Sequence, residues 1–536
     1  MELLTPQQIW KGYDPSALPL NVNMLSDVRR DGLREVTAYF SGPTTTDGVV
    51  RVFARCLAPA GKGRFPAVVL MPDIGSDAEN IAVRLADLGY AVVMPDYAGR
   101  RRDTFRYTVY PRSLVTSEWA PERLTEYPTD LRFNCWSVWA EIGMRAVTYA
   151  ASLDFADGER VAVIGAGVAS SAALKAAALD RRIKCAVMLY SNGRKDARSD
   201  DAACLTYKVA LADEAYAPMV RVPLLMMIAS NDSDGKADDM SDLFSLIPEE
   251  TGSRLSVSER TNRTIGGAQQ SNIRLWLDKY LRGGHCVVPA VPEVSAAASE
   301  RKLYYNVKAD PACETELFIS RGTDAPALRN WSKAVLMLVG DGEYIARADV
   351  YDVGEKIYAF ANARLPGGIS VSSPITEKLP AQLGVDATPM TTNRLIYDGD
   401  AGADDWTEYT RTDASTPETG SGPFGIGGVM ATRGTLGTFK LGDPAYRGKE
   451  GYLLQIMLYS ETAQFVTITV KAEIKAGKYA EFTHTESVSP EDGWRKITLE
   501  ATDFKSPAGV CESWEKVFGL TLSADKTIIV ASMLWV

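Results

Sequence analysis

Between residues 65 and 281 short apolar runs alternate with helix-patterned stretches, and from residue 302 onward the helical patterns stop. The run Phe65–Met71 (FPAVVLM) is apolar throughout, as expected of a strand covered on both faces. A helical pattern over 78–88 stops at Gly89, where glycine can adopt the left-handed cap. Strand runs follow at 90–95, 160–164, 183–190 and 223–229. Helical patterns occupy 136–153, Ala169–Leu179 and 273–281. Strands separated by helices are expected to pair in parallel, with helices on both faces of one sheet.

The second half reads differently. Strand-like runs occupy 334–339, 343–350 and 356–360, then 395–397, 451–459, 465–474, 479–487, 494–499 and 527–535. Short strands at about 8–12-residue spacing predict β-sandwiches. The stretch 377–392 is rich in Pro and Thr, and 420–437 is glycine-rich and expected to be a loop. The resulting division is an α/β domain at 1–286, a sandwich at 287–378, a linker at 379–390 and a second sandwich at 391–536. A chain of 536 residues has material for two to four cores of about 100–200 residues each.

Charge narrows the partners. The net charge is −10, and Arg100-Arg101-Arg102 is the one tight basic run, read as a solvated loop, so no nucleic-acid surface is expected. No 18-residue apolar stretch occurs, so no membrane span is expected. The first ten residues lack a basic region followed by an apolar run. The seven cysteines are sparse and form no CxxC, which fits a reducing compartment and a cytoplasmic location. A leader ahead of this sequence would make the location extracellular.

The sharpest motif is Val161-Ala-Val-Ile-Gly165-Ala-Gly167-Val-Ala169-Ser170-Ser171, a strand running into a helix. It allows two catalytic readings. Gly165-x-Gly167-x-x-Ser170 has the placement of a dinucleotide fingerprint, but the next strand ends Tyr190-Ser191-Asn192, with no carboxylate for a ribose. The other reading is a nucleophile elbow, G-x-S-x-G, with Gly165 first, Ala169 last and Gly167 in the nucleophile's place. A third reading is structural: the glycines allow tight strand–helix packing.

The surroundings favour the elbow register. They are Ile9-Trp10-x-Gly12-Tyr13-Asp14, the segment 89–99 ending Pro95-Asp96-Tyr97-Ala-Gly99, Tyr107-Thr108-Val-Tyr110-Pro111, Trp139-x-x-x-x-Met144-Arg145-Ala146 and the segment 178–187. With these, residues 1–285 resemble the acetyl xylan esterase and dienelactone-hydrolase-like branch of the α/β-hydrolase family. The resemblance implies an α/β-hydrolase-type sheet and, residue by residue, a lost active site. The nucleophile falls at Gly167 and the acid at Asp232. The histidine falls near Ile265, in Asn262-Arg263-Thr264-Ile265-Gly266, which has none. The oxyanion loop falls at Pro72-Asp73-Ile74-Gly75. The chain has two histidines, His285 and His484, neither near these positions in sequence.

A serine esterase needs an oxygen nucleophile, a base and oxyanion donors. Loss of nucleophile or base alone costs roughly 10⁶ in turnover. Glycine at the elbow also relieves backbone strain of about 1–3 kcal/mol. Among rescuers, Ser170 and Ser171 are read as capping or packing residues and Cys135 as a buried thiol, while Asp73, Asp96 and Asp232 are carboxylates that could converge. The expectation is a catalytically inactive esterase-like domain that binds or scaffolds. The competing expectations are an active esterase with an unrecognised nucleophile and, last, a dinucleotide enzyme. No cofactor and no metal is implied by the first two.

Residues 300–378 are similar to the immunoglobulin-like module that follows some esterases. Residues 391–536 are similar to carbohydrate-binding jelly-roll sandwiches appended to polysaccharide enzymes. That similarity implies a polysaccharide or oligosaccharide partner and makes Trp406, Tyr459, Trp494 and Trp514 candidates for stacking on sugar rings, although aromatics of this size also fill sandwich cores. Self-assembly into a homo-oligomer is left open by the sequence.

Overall fold

The computed structural model describes residues 3–536 except 74–78, 100–105, 115–130, 191–201, 301, 387–391, 410–413, 433, 476 and 508. The basic run at 100–102, Ile74, Gly75, Ser191 and Asn192 lie outside the described residues.

Among the described residues nine strands build the first module: β1 (Asn23–Arg30), β2 (Leu33–Thr45), β3 (Gly48–Pro59), β4 (Phe65–Met71), β5 (Ala91–Pro95), β6 (Ala156–Ala166), β7 (Ile183–Leu189), β8 (Leu224–Ala229) and β9 (Arg254–Ser258). They lie in the order β1-β2-β3-β5-β4-β6-β7-β8-β9. Pairing from β5 to β9 is parallel, and β1, β2 and β3 add an antiparallel flank. Helices α1 (Pro6–Ile9), α2 (Glu79–Asp87), α3 (Cys135–Ser152), α4 (Ala169–Leu179), α5 (Ala202–Ala210), α6 (Asp213–Tyr216), α7 (Ala237–Phe244) and α8 (Asn272–Arg282) connect or cover them. The central strands are apolar on both faces because both are covered: α3 and α4 share one core with them, α2 and α8 another. This is the α/β-hydrolase-type fold expected from the sequence, followed by an all-β region. Among the described residues no helix is long and apolar enough to cross a membrane.

The second module is a sandwich of β10 (Glu293–Ser299), β11 (Lys302–Lys308), β12 (Glu314–Arg321), β13 (Ser332–Lys333), β14 (Met337–Gly340), β15 (Glu343–Ala348), β16 (Ile357–Arg364), β17 (Ser370–Ser372) and β18 (Thr376–Lys378). One sheet runs β10-β11-β15-β14. The other, β17-β16-β12-β13, is continuous with the hydrolase sheet, because Ser372 of β17 pairs with Leu255 of β9. The change of architecture near residue 286 is therefore not a break in packing. Asn272 and Ser370 exchange hydrogen bonds of 2.9 and 3.0 Å across it. Phe318, Trp331, Tyr358 and Phe360 share a core with Met226, Met240 and Leu255.

The third module, from Leu395 to Trp535, packs a six-stranded sheet on an eight-stranded one. Trp406, Trp514 and Trp535 lie in its core. It leans on both other modules: Arg321 bonds Asp443 at 3.2 Å, and the Thr407 hydroxyl reaches the Arg260 carbonyl at 3.5 Å.

Candidate active site

The turn from β6 to α4 sits at the centre of the parallel sheet, where an open α/β fold collects its ligands. Two glycines shape it. At Gly165 a β-carbon would lie 2.3 Å from the Ala169 carbonyl oxygen and 2.7 Å from Ala173 Cβ, so glycine lets α4 close onto the strand. Gly167 is at the tip, with φ of +56°. This is the left-handed conformation an elbow nucleophile adopts at a cost and glycine adopts freely.

A side chain does occupy the space above Gly167, and it comes from another loop. A β-carbon built on Gly167 would fall within 2.1–2.3 Å of the carboxylate carbon and both oxygens of Asp73. Asp73 follows β4, in the segment that the sequence resemblance assigns to the oxyanion loop. Its Oδ1 accepts the Val168 N–H at 3.2 Å. That N–H belongs to the residue after the tip, the donor that an elbow offers to an oxyanion. The start of α4 also favours an anion there through its free N–H groups. The Asp73 carboxyl group thus fills the space that a side chain at the tip, and an oxygen bound to the Val168 N–H, would take.

Arg263, in the loop after β9, fixes Asp73 from the other side. Its Nη2 meets Asp73 Oδ2 at 2.5 Å and its Nη1 meets Asp234 Oδ2 at 2.5 Å. Burial disfavours the Arg263 charge, but Asp73, Asp232 and Asp234 outweigh it and hold the guanidinium firmly charged. A fixed cation accepts no proton, so it cannot replace a histidine as general base. Ile265, nearby, packs against the apolar core. His285 lies exposed beyond α8. His484 sits in the third module, 3.0 Å from Glu486. Neither joins this cluster.

The remaining candidates resolve separately. Asp232 is buried, and its Oδ1 accepts the N–H groups of Asp234 and Gly235 at 2.8 and 3.0 Å. Its Oδ2 is buried with no hydrogen-bond partner among the described residues. Burial raises its pKa above the ordinary carboxylate value against the pull of those N–H groups and Arg263. A raised carboxyl favours the fold below its unfolded pKa, and that contribution is lost as pH rises through the folded value. Asp232→Asn keeps the Oδ1 acceptor and removes the buried charge. Urea unfolding between about pH 4 and 7 is expected to show the variant gaining on the wild type as pH rises. A gain that shrinks with pH contradicts the assignment.

Asp96 is engaged by its own loop. Its oxygens accept the N–H groups of Gly99 and Thr108 at 3.1 and 2.7 Å and hold the loop after β5. Tyr97 donates to the Pro72 carbonyl at 2.6 Å and pins the start of the Asp73 loop. The Ser170 hydroxyl bonds the Gly167 carbonyl at 2.6 Å, a cap within the helix start. Burial pushes the Cys135 thiol up to about 12, which leaves no thiolate near neutral pH.

One cluster escaped the sequence reading. The Ser171 hydroxyl donates to Asp213 Oδ1 at 2.5 Å, and Lys175 Nζ donates to both at 2.6 Å. Lys175 is fully buried and stands over the rings of Trp136 and Tyr216. The four-residue spacing of Ser171 and Lys175 on a helix was the available signal. Lys175 donates its protons here and Ser171 gives its own to Asp213, so the group locks α4 to α6.

In the third module Trp406 and Trp514 are 1% and 3% exposed, the latter donating to the Tyr452 carbonyl at 2.9 Å. Packing inside the sandwich removes both as sugar-stacking surfaces, which corrects the expectation for them. Tyr459 and Trp494 are half-buried, with ring centroids 5.7 Å apart. Beside them Phe424 stands exposed on a loop to which Trp494 is bonded through the Pro423 carbonyl at 2.9 Å. Among the described residues no group of three His, Cys, Asp or Glu side chains could hold a metal ion.

Residues 52–251 match the model of the dienelactone hydrolase family, in line with the resemblance drawn from the sequence. Among solved structures, an acetyl xylan esterase from a Paenibacillus species is 16% identical, covering 50% of this chain and 91% of its own, with a TM-score of 0.38. Acetyl xylan esterase 1 from a Thermoanaerobacterium species is 15% identical, covering 50% and 89%, with a TM-score of 0.38. A cold-adapted esterase from an Arctic intertidal metagenomic library is 16% identical, covering 48% and 97%, with a TM-score of 0.33. No curated protein matches.

Proposed function

We propose that this chain, with its dienelactone-hydrolase-like domain, does not hydrolyse esters and acts by binding, with saccharide as its ligand class. The observation that carries the first part is the Asp73 carboxylate seated above Gly167 on the Val168 N–H and held by Arg263. Three requirements of acyl transfer fail together: the nucleophile is absent, the base is a permanent cation, and the oxyanion donor is engaged by an anion. The same anion at the start of α4 opposes a pyrophosphate there, which counts against the dinucleotide reading. Support for a saccharide is the half-buried Tyr459–Trp494 pair beside exposed Phe424.

A chromogenic acetate substrate tests the reading. The full chain is expected to release chromophore no faster than buffer. A second reading, an esterase working through Ser171 and Lys175, is favoured only by their 2.6 Å contact. Turnover that disappears in Ser171→Ala would establish it and overturn the first.

A further inference from the structure

The loops after β8 and β9 and one sheet of the third module enclose a cavity of about 430 Å³, within the range of small-molecule sites. One wall is Asn231, Ser233, Asn262, Arg263 and Thr264. The other belongs to the eight-stranded sheet.

Strand register makes that sheet face a lattice of hydroxyls. Thr407, Gly437, Thr521, Thr469 and Thr483 lie in one row across five strands. Two residues along each strand, on the same face, Tyr409, Thr435, Ser523, Thr467 and Thr485 form the next. The opposite face of these strands, including Leu436, Leu522 and Ile468, is buried in the sandwich core. The Tyr409 ring lies over Gly437, where a β-carbon would meet it at 2.6 Å. Lys471 and Glu481 face each other in register at the cavity's edge. Arg263 is already matched by Asp73 and Asp234. The lining is therefore charge-balanced, offers hydroxyls that both donate and accept, and presents two aromatic rings, Tyr409 and Phe439.

We infer that this interdomain cavity binds a neutral polyhydroxylated ring compound of mono- or disaccharide size, held by Thr469 and Thr521 against Tyr409. The inference rests on the reading of the chain as a binding protein and gives that reading a site built by two modules. Balanced charge disfavours an anionic ligand, and a hydroxyl lattice disfavours an apolar one, which would leave its donors unpaired.

Calorimetric titration of the full chain with xylobiose, cellobiose and maltose, and with galacturonate as the charged counterpart, tests it. At least one neutral disaccharide is expected to bind. Thr469→Val, which removes a hydroxyl at nearly constant volume, and Thr521→Trp, which fills the cavity, are each expected to weaken it by about tenfold or more. Unchanged thermal midpoints show that both variants fold. Binding that survives both variants, or is lost only in Trp494→Ala, overturns the cavity site and leaves the binding reading standing. Binding of galacturonate alone, or of none of the four, overturns the proposal, while the acetate assay judges the loss of hydrolysis separately.

Discussion

Gly167→Ser is expected to lose stability and to gain no hydrolysis. Two costs add. The left-handed backbone at φ of +56° costs a residue with a β-carbon about 1–3 kcal/mol. The new side chain also evicts the Asp73 carboxylate, which must swing away from the Val168 N–H and Arg263. Losing those partners costs about 1–3 kcal/mol more. Urea unfolding followed by tryptophan fluorescence reads the sum. In the double variant Asp73→Ala with Gly167→Ser the eviction no longer occurs, and only the backbone cost and the lost carboxylate contacts remain, so the two substitutions are expected to be non-additive. A single variant as stable as the wild type contradicts the geometry. No hydrolysis is expected from the variant, because Arg263 still holds the loop after β9 and accepts no proton.

The second large effect is expected at Arg329. Its guanidinium is fully buried, makes a bidentate pair with Asp238 at 2.6 and 2.7 Å, and lies 3.4 Å from the centroid of the Tyr358 ring. It ties α7 of the first module to the second. Removing one partner of a buried pair typically costs about 3–5 kcal/mol. Asp238 is 33% exposed and can rehydrate, so Arg329→Ala is expected near the lower end, about 3 kcal/mol. The loss should appear in thermal unfolding together with faster proteolysis between the first two modules. Asp238→Asn keeps an acceptor for the guanidinium but removes the counter-charge of a fully buried cation, so it is expected to cost at least as much. An Arg329→Ala variant that melts with the wild type would show that the modules are held by apolar packing alone.

Much of this architecture was legible from residue patterns. Continuous apolar runs such as Phe65–Met71 mark strands covered on both faces, and the burial of β4, β5 and β8 matches them. The antiparallel flank β1–β3 went unread, although only β1 is largely exposed and β2 alternates in period two. Asp31-Gly32, both at positive φ between β1 and β2, was the hairpin signal available there. The joining of β9 to β17 was not legible, since it depends on residues 117 positions apart in sequence, Leu255 and Ser372 (372 − 255).

At the site, the sequence could point to the missing hydroxyl at Gly167 but not to what fills its place. Asp73 and Arg263 are 190 residues apart, and only the fold brings them together. A bare glycine at the tip would leave an open pocket. A glycine under an ion-paired carboxylate leaves no seat for an acyl carbonyl, and the proposed loss of chemistry rests on that more than on the absence of a serine. The aromatic candidates divided by packing: Trp406 and Trp514 went to the sandwich core, and Tyr459 and Trp494 stayed half-exposed.

Intact-mass spectrometry after incubation with an ester-mimicking fluorophosphonate probes the central claim at the atom concerned. With an anion fixed where an attacking oxygen would stand, the full chain should keep its unmodified mass after prolonged exposure. A stoichiometric phosphonyl adduct mapped by peptide sequencing to a hydroxyl in this cleft, Ser170 or Ser171 included, would contradict the account.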